Sequence, residues 1–153
     1  MKILMVCLGN ICRSPMAEGI LRDRLEKAGI EAFLDSAGTA DYHAGEAPDH
    51  RAIRCMRQYG IDISGLRARQ FSRDDFARFD FIFTMDESNH RNVLVQAETE
   101  EEKNKVMMFL ELLYPGKKQS VPDPWFGDME GFFEVAEMLM KASDKFVTQL
   151  QVE

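Results

Sequence analysis

A short loop between an apolar, strand-like run and a helix-like pattern constrains this chain more than any other feature. The run Ile3 to Val6 leads directly into positions 7 to 15, which read Cys-Leu-Gly-Asn-Ile-Cys-Arg-Ser-Pro. Apolar side chains then recur at helical spacing as far as Ala28, and Gly29 follows as a stop signal. The sequence therefore predicts a buried strand, a tight loop and a helix that begins at Pro15, a residue type suited to a first helical turn.

The loop has the composition of a binding site for a tetrahedral oxyanion. Gly9 and Asn10 belong to the residue types that most readily adopt positive φ, which lets backbone N–H groups turn inward together. The following helix adds its unpaired N–H groups and the positive end of its dipole, and Arg13 adds a planar guanidinium that matches two phosphate oxygens. The predicted phosphate-binding loop comprises Cys7, Leu8, Gly9, Asn10, Ile11, Cys12, Arg13 and Ser14.

Cys7 is the candidate nucleophile of this loop. Inward-pointing N–H groups and a neighbouring arginine stabilise a thiolate, which is the reactive form of cysteine. Ser14 can donate its hydroxyl to the sulfur, which eases the departure of the thiolate when a cysteinyl-phosphate is hydrolysed. The loop therefore predicts covalent phosphoryl transfer, with Arg13 binding the phosphate and neutralising its charge.

Positions 7 to 15 resemble the signature of the low-molecular-weight protein tyrosine phosphatases. Four further blocks resemble family blocks in the same order, and they extend the resemblance over nearly the whole chain. They are Asp35-Ser36-Ala37-Gly38-Thr39, Ala68-Arg69-Gln70, Met85-Asp86-Glu87-Ser88-Asn89 and Asp123-Pro124-Trp125-Phe126-Gly127. The resemblance implies hydrolysis of phosphotyrosyl proteins or peptides, and of small aryl phosphates, through a cysteinyl-phosphate. Inorganic phosphate is the implied product, and no cofactor is expected.

Asp123 is the candidate general acid and base. A tyrosyl oxygen leaves slowly unless it is protonated, and Pro122 and Pro124 stiffen the segment around this carboxyl group. The resemblance gives the aspartate of the Asp-Pro pair the role of acid in the first step and of base toward water in the second. An ordinary Asp-Pro turn is the alternative for this segment alone. The presence of the Cys7 loop favours the catalytic interpretation.

Tyr42, Trp125 and Phe126 are predicted to form the walls of a slot for an aromatic ring. A slot deep enough for phosphotyrosine would leave phosphoserine too short to reach Cys7. The alternative is that Trp125 and Phe126 are core or hinge residues at the start of the last helix. Ile11 favours phosphotyrosine as well, because a bacterial subgroup that resembles protein-arginine phosphatases has threonine there.

The resemblance also implies supporting roles near the loop. Asn10 is expected to hold the loop through a hydrogen bond to Ser36, although a solvated turn serine is an alternative for Ser36. Asp86 matches a family aspartate, and an N-cap of the following helix explains it equally well. Cys12 lies close enough to Cys7 to trap an oxidised nucleophile as a reversible disulfide, and otherwise it is a small buried residue.

The rest of the sequence alternates strand-like and helix-like stretches without repeats. Strands are predicted at positions 31–35, 80–85 and 105–109, and helices at positions 48–59, 73–78, 86–97 and 127–150. Ser72 is the expected N-cap of the helix at 73–78, and the acidic residues 98–102 are expected to form a solvated turn. This alternation predicts a three-layer α/β sandwich with a four-stranded parallel sheet flanked by helices and a phosphate-binding loop after the first strand. The length fits a single phosphatase domain over residues 1–153.

Composition narrows the partners and the compartment. A net charge of −7 argues against a nucleic acid or an anionic membrane as partner. The short apolar start predicts no signal peptide, and three cysteines fit a reducing compartment, so we expect a cytoplasmic monomer.

His43, His50 and His90 lack ligand spacing, which predicts surface histidines and no metal. Cys55 is expected in the core, and the arginines between Arg51 and Arg73 could rim the site and attract acidic phosphopeptides.

Two other classes of protein use similar elements. Arsenate reductases of similar fold bind arsenate in the same loop, but they need two further cysteines, and only Cys55 lies outside the loop here. A phosphotyrosine-binding module, or a redox sensor built on Cys7 and Cys12, is the second alternative. The presence of both Cys7 and Asp123 favours turnover, because binding alone needs no acid.

Overall fold

A computed structural model describes residues 1–152, so the last residue of the predicted domain, Glu153, lies outside the described residues. Four parallel strands form one sheet in the order β2-β1-β3-β4. They are β1 (Lys2–Cys7), β2 (Phe33–Gly38), β3 (Phe81–Thr84) and β4 (Val106–Met108). The predicted four-stranded parallel sheet is confirmed.

Six α-helices and one 3₁₀ helix surround this sheet in the described part of the chain. They are α1 (Arg13–Lys27), α2 (His50–Gln58), α3 (Asp74–Arg78), α4 (Glu87–Leu94), α5 (Glu100–Asn104), the 3₁₀ helix Phe109–Leu112 and α6 (Met129–Val152). None of the helices between residues 1 and 152 combines the length and the apolar character that a membrane crossing requires.

The central strand β1 explains the uninterrupted apolar run at the start of the sequence. Ile3 and Met5 face the core formed with α1, α2 and α6, whereas Leu4 and Val6 face the second core on the other side of the sheet. All four side chains are fully buried. A parallel strand that is covered on both faces carries apolar residues without alternation, as this one does. The predicted three-layer α/β architecture is thus confirmed.

Several predicted boundaries differ from the structure. The second strand begins at Phe33 and continues to Gly38, because residues 36–38 pair with Met5, Val6 and Cys7 of β1. The prediction of a turn at 98–102 is wrong, because α5 begins at Glu100. Thr99 caps this helix by accepting from the N–H of Glu102 at 3.1 Å.

The predicted cap at Ser72 is also wrong. Arg73 occupies the N-cap position of α3, and Ser72 instead donates its backbone N–H to the Asp75 carboxylate at 2.9 Å. The helix therefore begins one residue later than predicted, and Asp75 in its first turn binds the backbone N–H that precedes it.

Gly38 ends β2 beside the loop that follows β1. A Cβ atom at this position would lie 2.7 Å from the carbonyl oxygen of Leu8 and 3.2 Å from the N atom of Asn10. Only glycine allows this approach, so the end of β2 supports the loop directly. The loop consequently lies at the carboxyl edge of the sheet, where parallel sheets bind ligands.

Candidate active site

Gly9 and Asn10 suit their positions in the phosphate-binding loop for different reasons. Asn10 adopts φ 59°, a left-handed conformation that asparagine tolerates. Gly9 does not adopt that conformation, and its lack of a side chain serves packing instead, since a Cβ atom would lie 3.1 Å from Cδ2 of His43. The expected positive φ is therefore found at Asn10 alone.

Cys7 lies at the base of a cavity of about 200 Å³. Its side chain is buried, its Sγ lies 3.0 Å from Oγ of Ser14, and the backbone N–H of Asn10 donates to Sγ at 3.3 Å. Two polar groups of the protein thus contact the sulfur, the Ser14 hydroxyl and the Asn10 N–H. The cavity is lined by Cys7, Leu8, Gly9, Asn10, Ile11, Cys12, Arg13, Tyr42, His43, Asp123, Trp125 and Phe126.

Asn10 connects the loop to α1, to β2 and to the segment around Arg69. Its Nδ2 donates to Oγ of Ser14 at 2.7 Å and to Oγ of Ser36 at 2.9 Å, so the expected hydrogen bond to Ser36 is present. Its Oδ1 accepts from the backbone N–H of Arg69 at 3.0 Å. Because every polar atom of the amide has a partner, the side chain fixes the loop in one conformation.

Glu18 extends this network and was not identified from the sequence. Ser36 donates its hydroxyl to Oε1 of Glu18 at 2.8 Å, and Arg22 pairs with the other carboxylate oxygen. Burial raises the pKa of Glu18, although the hydrogen bonds from Arg22 and Ser36 act in the opposite direction. A buried carboxylate on α1 thus orients the serine that binds Asn10.

Arg13 is buried and held by two acceptors. Its Nη1 donates to Oδ2 of Asp86 at 2.7 Å and to the carbonyl oxygen of Val121 at 3.0 Å. Burial opposes the charge on this guanidinium, but the Cys7 sulfur, Asp86 and Asp123 outweigh it and raise the pKa of Arg13. The guanidinium is therefore charged and fixed at one side of the cavity.

Asp86 combines the two interpretations that the sequence left open. Its Oδ1 accepts from the backbone N–H of Asn89 at 2.7 Å and so caps α4, while its Oδ2 accepts from Arg13. One carboxylate thus starts a helix and orients the arginine. Sequence order cannot reveal the second contact, because the two residues are 73 positions apart.

Asp123 lies in a segment that we call the acid segment, residues 121–127, and it faces the same cavity as Cys7. Its Oδ1 accepts from the backbone N–H of Trp125 at 3.0 Å, and its Oδ2 lies 3.7 Å from Nη2 of Arg13. The carboxyl group remains partly exposed. The carboxyl group is therefore accessible to a ligand that occupies this cavity.

The three predicted slot residues line the mouth of the cavity with different exposure. Trp125 is 39% exposed, Tyr42 is 72% exposed and Phe126 is 91% exposed. The alternative that Phe126 is a core residue is therefore wrong. His43, expected only as a surface residue, also lines the cavity, and its ring centroid lies 5.7 Å from that of Trp125.

The other two cysteines are free and buried. Burial, together with the charge of Asp49, raises the pKa of Cys12 well above its usual range. Burial alone raises the pKa of Cys55 to about 11. Cys55 lies in the core, as predicted, whereas Cys12 lines the cavity beside Cys7.

A cysteine and an arginine in one anion-binding loop, with an aspartate across the cavity, define the class of cysteine-dependent phosphatases. Comparisons with known proteins specify the family. The model of the family described as low molecular weight phosphotyrosine protein phosphatase matches residues 2–153. The chain therefore belongs to this family of hydrolases.

Individual relatives agree with this assignment. A putative low molecular weight protein-tyrosine-phosphatase of Synechocystis is 43% identical over 155 residues, which cover 100% of this chain and 98% of the relative. The low molecular weight phosphotyrosine protein phosphatase of Schizosaccharomyces pombe is 42% identical and covers 97% and 96% of the two chains. A crystal structure of a protein tyrosine phosphatase from Entamoeba histolytica, with Hepes in the active site, has a TM-score of 0.92 at 34% identity, covering 99% and 97%.

Proposed function

We propose that this phosphatase hydrolyses phosphotyrosine with Cys7 as nucleophile, Arg13 as phosphate-binding residue and Asp123 as general acid and base. The observation that supports this assignment is that all three side chains line one cavity. Tyrosyl phosphoproteins or peptides are the substrates, small aryl phosphates are accepted, and inorganic phosphate is the product.

The reaction has two steps. In the first, the Cys7 thiolate forms a bond to phosphorus as the bond to the tyrosyl oxygen breaks, and the proton of Asp123 moves to that oxygen. In the second, Asp123 takes a proton from water, the water oxygen attacks phosphorus and the thiolate leaves with support from Ser14. Arg13 and the loop N–H groups stabilise the charge on the equatorial oxygens in both steps.

The aromatic residues at the mouth of the cavity account for the choice of phosphotyrosine. Tyr42 and Trp125 can contact a phenyl ring whose phosphate reaches Cys7, and a phosphoserine side chain is too short to span the same depth. Ile11 also lines the cavity and adds apolar surface to it. Phe126 is the most exposed of these residues and contributes least to the walls of the slot before a substrate binds.

Arg13 and the backbone of the phosphate-binding loop allow the reaction to proceed without a metal. Arg13 and backbone N–H groups supply the positive charge that a phosphoryl group needs. We further propose that the protein acts as a cytoplasmic monomer without a nucleic-acid or membrane partner, in keeping with its net charge of −7.

The position of Cys12 supports reversible protection of the nucleophile. Peroxide would oxidise Cys7 to a sulfenic acid, and the Cys12 thiol would then form a disulfide with it and release water. Mass spectrometry after mild peroxide treatment tests this hypothesis. Detection of sulfinic or sulfonic acid on Cys7, and of no Cys7–Cys12 disulfide, would refute it.

Two substitutions test the assigned roles. Cys7→Ser should abolish activity. Asp123→Asn should reduce kcat/KM for phenyl phosphate by about 10² or more, because a placed acid contributes about 10² to 10⁴ in rate, and it should affect 2,4-dinitrophenyl phosphate far less. Equal losses on both substrates would remove Asp123 from its assigned role.

A substrate panel separates the remaining possibilities. Phosphotyrosyl, phosphoseryl and phosphoarginyl peptides are assayed without metal, beside an arsenate-reduction control. We expect turnover of the phosphotyrosyl peptide alone. The reductase alternative is disfavoured because it needs two further cysteines, and Cys55, which is fully buried on α2, is the only cysteine outside the loop.

A further inference from the structure

Arg51 contacts the acid segment at two backbone positions. It lies in the first turn of α2, where its side chain is mostly buried. Its Nη2 donates to the carbonyl oxygen of Trp125 at 3.0 Å, and its Nη1 donates to that of Gly127 at 2.9 Å. These carbonyl groups follow Asp123 by two and four residues, so the guanidinium fixes the backbone next to the proposed acid.

Asp49 holds the same guanidinium from the other side. Nε and Nη2 of Arg51 each lie 3.0 Å from a different oxygen of the Asp49 carboxylate, which is a bidentate ion pair. The backbone N–H of Asp49 donates to the carbonyl oxygen of Ile11 at 2.8 Å. A continuous set of hydrogen bonds thus joins the phosphate-binding loop to the acid segment through Asp49 and Arg51.

Aromatic packing sets the orientation of this guanidinium. Cζ of Arg51 lies 4.7 Å from the ring centroid of Phe132 and 5.6 Å from that of Trp125. A planar guanidinium can stack on rings while its N–H groups reach several acceptors, whereas the point charge of lysine cannot reproduce this arrangement. The sequence suggested that Arg51 could belong to an exposed basic rim. Its guanidinium instead makes contacts within the protein.

We propose that Arg51 is a positioning residue that sets the place of Asp123 relative to Cys7. This inference rests on the proposed role of Asp123 as the acid. When the sulfur forms its bond to phosphorus, the tyrosyl oxygen leaves and must receive the Asp123 proton in the same step. Loss of the Arg51 contacts displaces the carboxyl group, which slows proton transfer and leaves sulfur attack unchanged.

The test compares kcat/KM for two aryl phosphates that differ in their need for a proton. With Arg51→Ala, we expect a loss of about tenfold or more on phenyl phosphate and of about twofold or less on 2,4-dinitrophenyl phosphate, because a displacement of about 1 Å can cost about 10² in rate. Arg54→Ala removes an exposed arginine from the same helix that does not line the cavity, and it should change neither value. Equal losses on both substrates with Arg51→Ala would overturn the proposal.

A double substitution separates this inference from the proposed function. Asp123→Asn alone decides whether Asp123 is the acid. Suppose that Asp123→Asn lowers kcat/KM far more for phenyl phosphate than for 2,4-dinitrophenyl phosphate. Adding Arg51→Ala should then produce no further selective loss, because both residues act on the same proton. An additional selective loss in the double variant would show that Arg51 acts elsewhere and would overturn the inference while the function stands.

Arg51→Lys provides a second variant if Arg51→Ala does not fold. It keeps the positive charge and the aliphatic stem but cannot bind both carbonyl groups and the Asp49 carboxylate together. We expect the same selective loss to a smaller extent. A lysine variant with the wild-type ratio of the two kcat/KM values would contradict the proposal.

Discussion

The Sγ atom of Cys7 lies 3.0 Å from the Oγ atom of Ser14. The Ser14 oxygen accepts a hydrogen bond from the side chain of Asn10 at 2.7 Å, which leaves the hydroxyl proton for another partner. The carbonyl oxygen of Ala37 lies 3.5 Å away, at the limit of hydrogen bonding. The sulfur is therefore the better acceptor, and Asn10 sets the direction in which Ser14 donates.

Ser14→Ala should slow the breakdown of the cysteinyl-phosphate more than its formation. In the proposed reaction the hydroxyl stabilises the departing thiolate, and a hydrogen bond to a charged group contributes about 1.5–3 kcal/mol, so we expect kcat to fall about tenfold or more. Stopped-flow assays with p-nitrophenyl phosphate should show a burst of nitrophenol before the slow steady state. Ser120→Ala, at an exposed position, is the control. A variant with unchanged kcat and no burst would contradict this role.

Iodoacetamide at neutral pH should modify Cys7 before the other two cysteines. Burial and Asp49 raise the pKa of Cys12, and burial raises the pKa of Cys55 to about 11, so both remain protonated thiols. Inorganic phosphate should protect Cys7 by occupying the cavity. Peptide mapping by mass spectrometry checks the order of modification, with Cys7→Ser as control. Modification of Cys12 at the same rate as Cys7 would argue against a specially reactive nucleophile.

Glu18→Gln should change how stability depends on pH. Burial raises the pKa of Glu18, so its contribution to stability is fully present below the unfolded-state pKa and is lost as pH rises through the folded-state pKa. Glutamine cannot ionise, so the free energy of unfolding of the variant, relative to wild type, should increase as pH rises through this range. Urea unfolding at a series of pH values measures this difference.

Glu26→Gln is the matched control, because Glu26 is an exposed carboxylate on the same helix. Its free energy of unfolding should follow that of wild type across the series. A Glu18→Gln variant whose difference from wild type does not depend on pH would show that burial of this carboxylate has no net effect on its ionisation.

The parts of the fold that the sequence predicts well are those encoded by consecutive residues. The strand from Lys2, the phosphate-binding loop and α1 follow from an apolar run, turn-forming residues and helical spacing. The sequence predicts β2 only in part, because Ser36 and Gly38 have weak strand preferences, and pairing with β1 decides their conformation. The helix α5 had a usable signal in Thr99 and Glu102, whose spacing is that of a capping box.

The parts of the site that the sequence does not predict depend on contacts between distant segments. Residue type identifies Arg13, Asp86 and Arg51 as donors or acceptors, but it does not reveal which partner each one binds. Glu18 illustrates the same limit, because a glutamate on a helix is normally exposed, and only Ser36 and Arg22 explain its burial. Sequence thus identifies candidate reactive groups, while tertiary structure determines how they are oriented.

Trp125 and Phe126 should differ in their effect on substrate binding, although both line the cavity. Trp125 contacts both His43 and Arg51, so its ring is already placed for stacking, whereas Phe126 is almost fully exposed and loses side-chain freedom when it contacts a substrate. We expect Trp125→Ala to raise KM for a phosphotyrosyl peptide about tenfold and Phe126→Ala about twofold, since an aromatic pair contributes about 0.5–1.5 kcal/mol beyond burial. Inhibition by inorganic phosphate should stay unchanged in both variants, because phosphate contacts the loop and not the slot. A larger effect of Phe126→Ala would show that this ring closes over the substrate and that the open arrangement is not the one that binds phosphotyrosine.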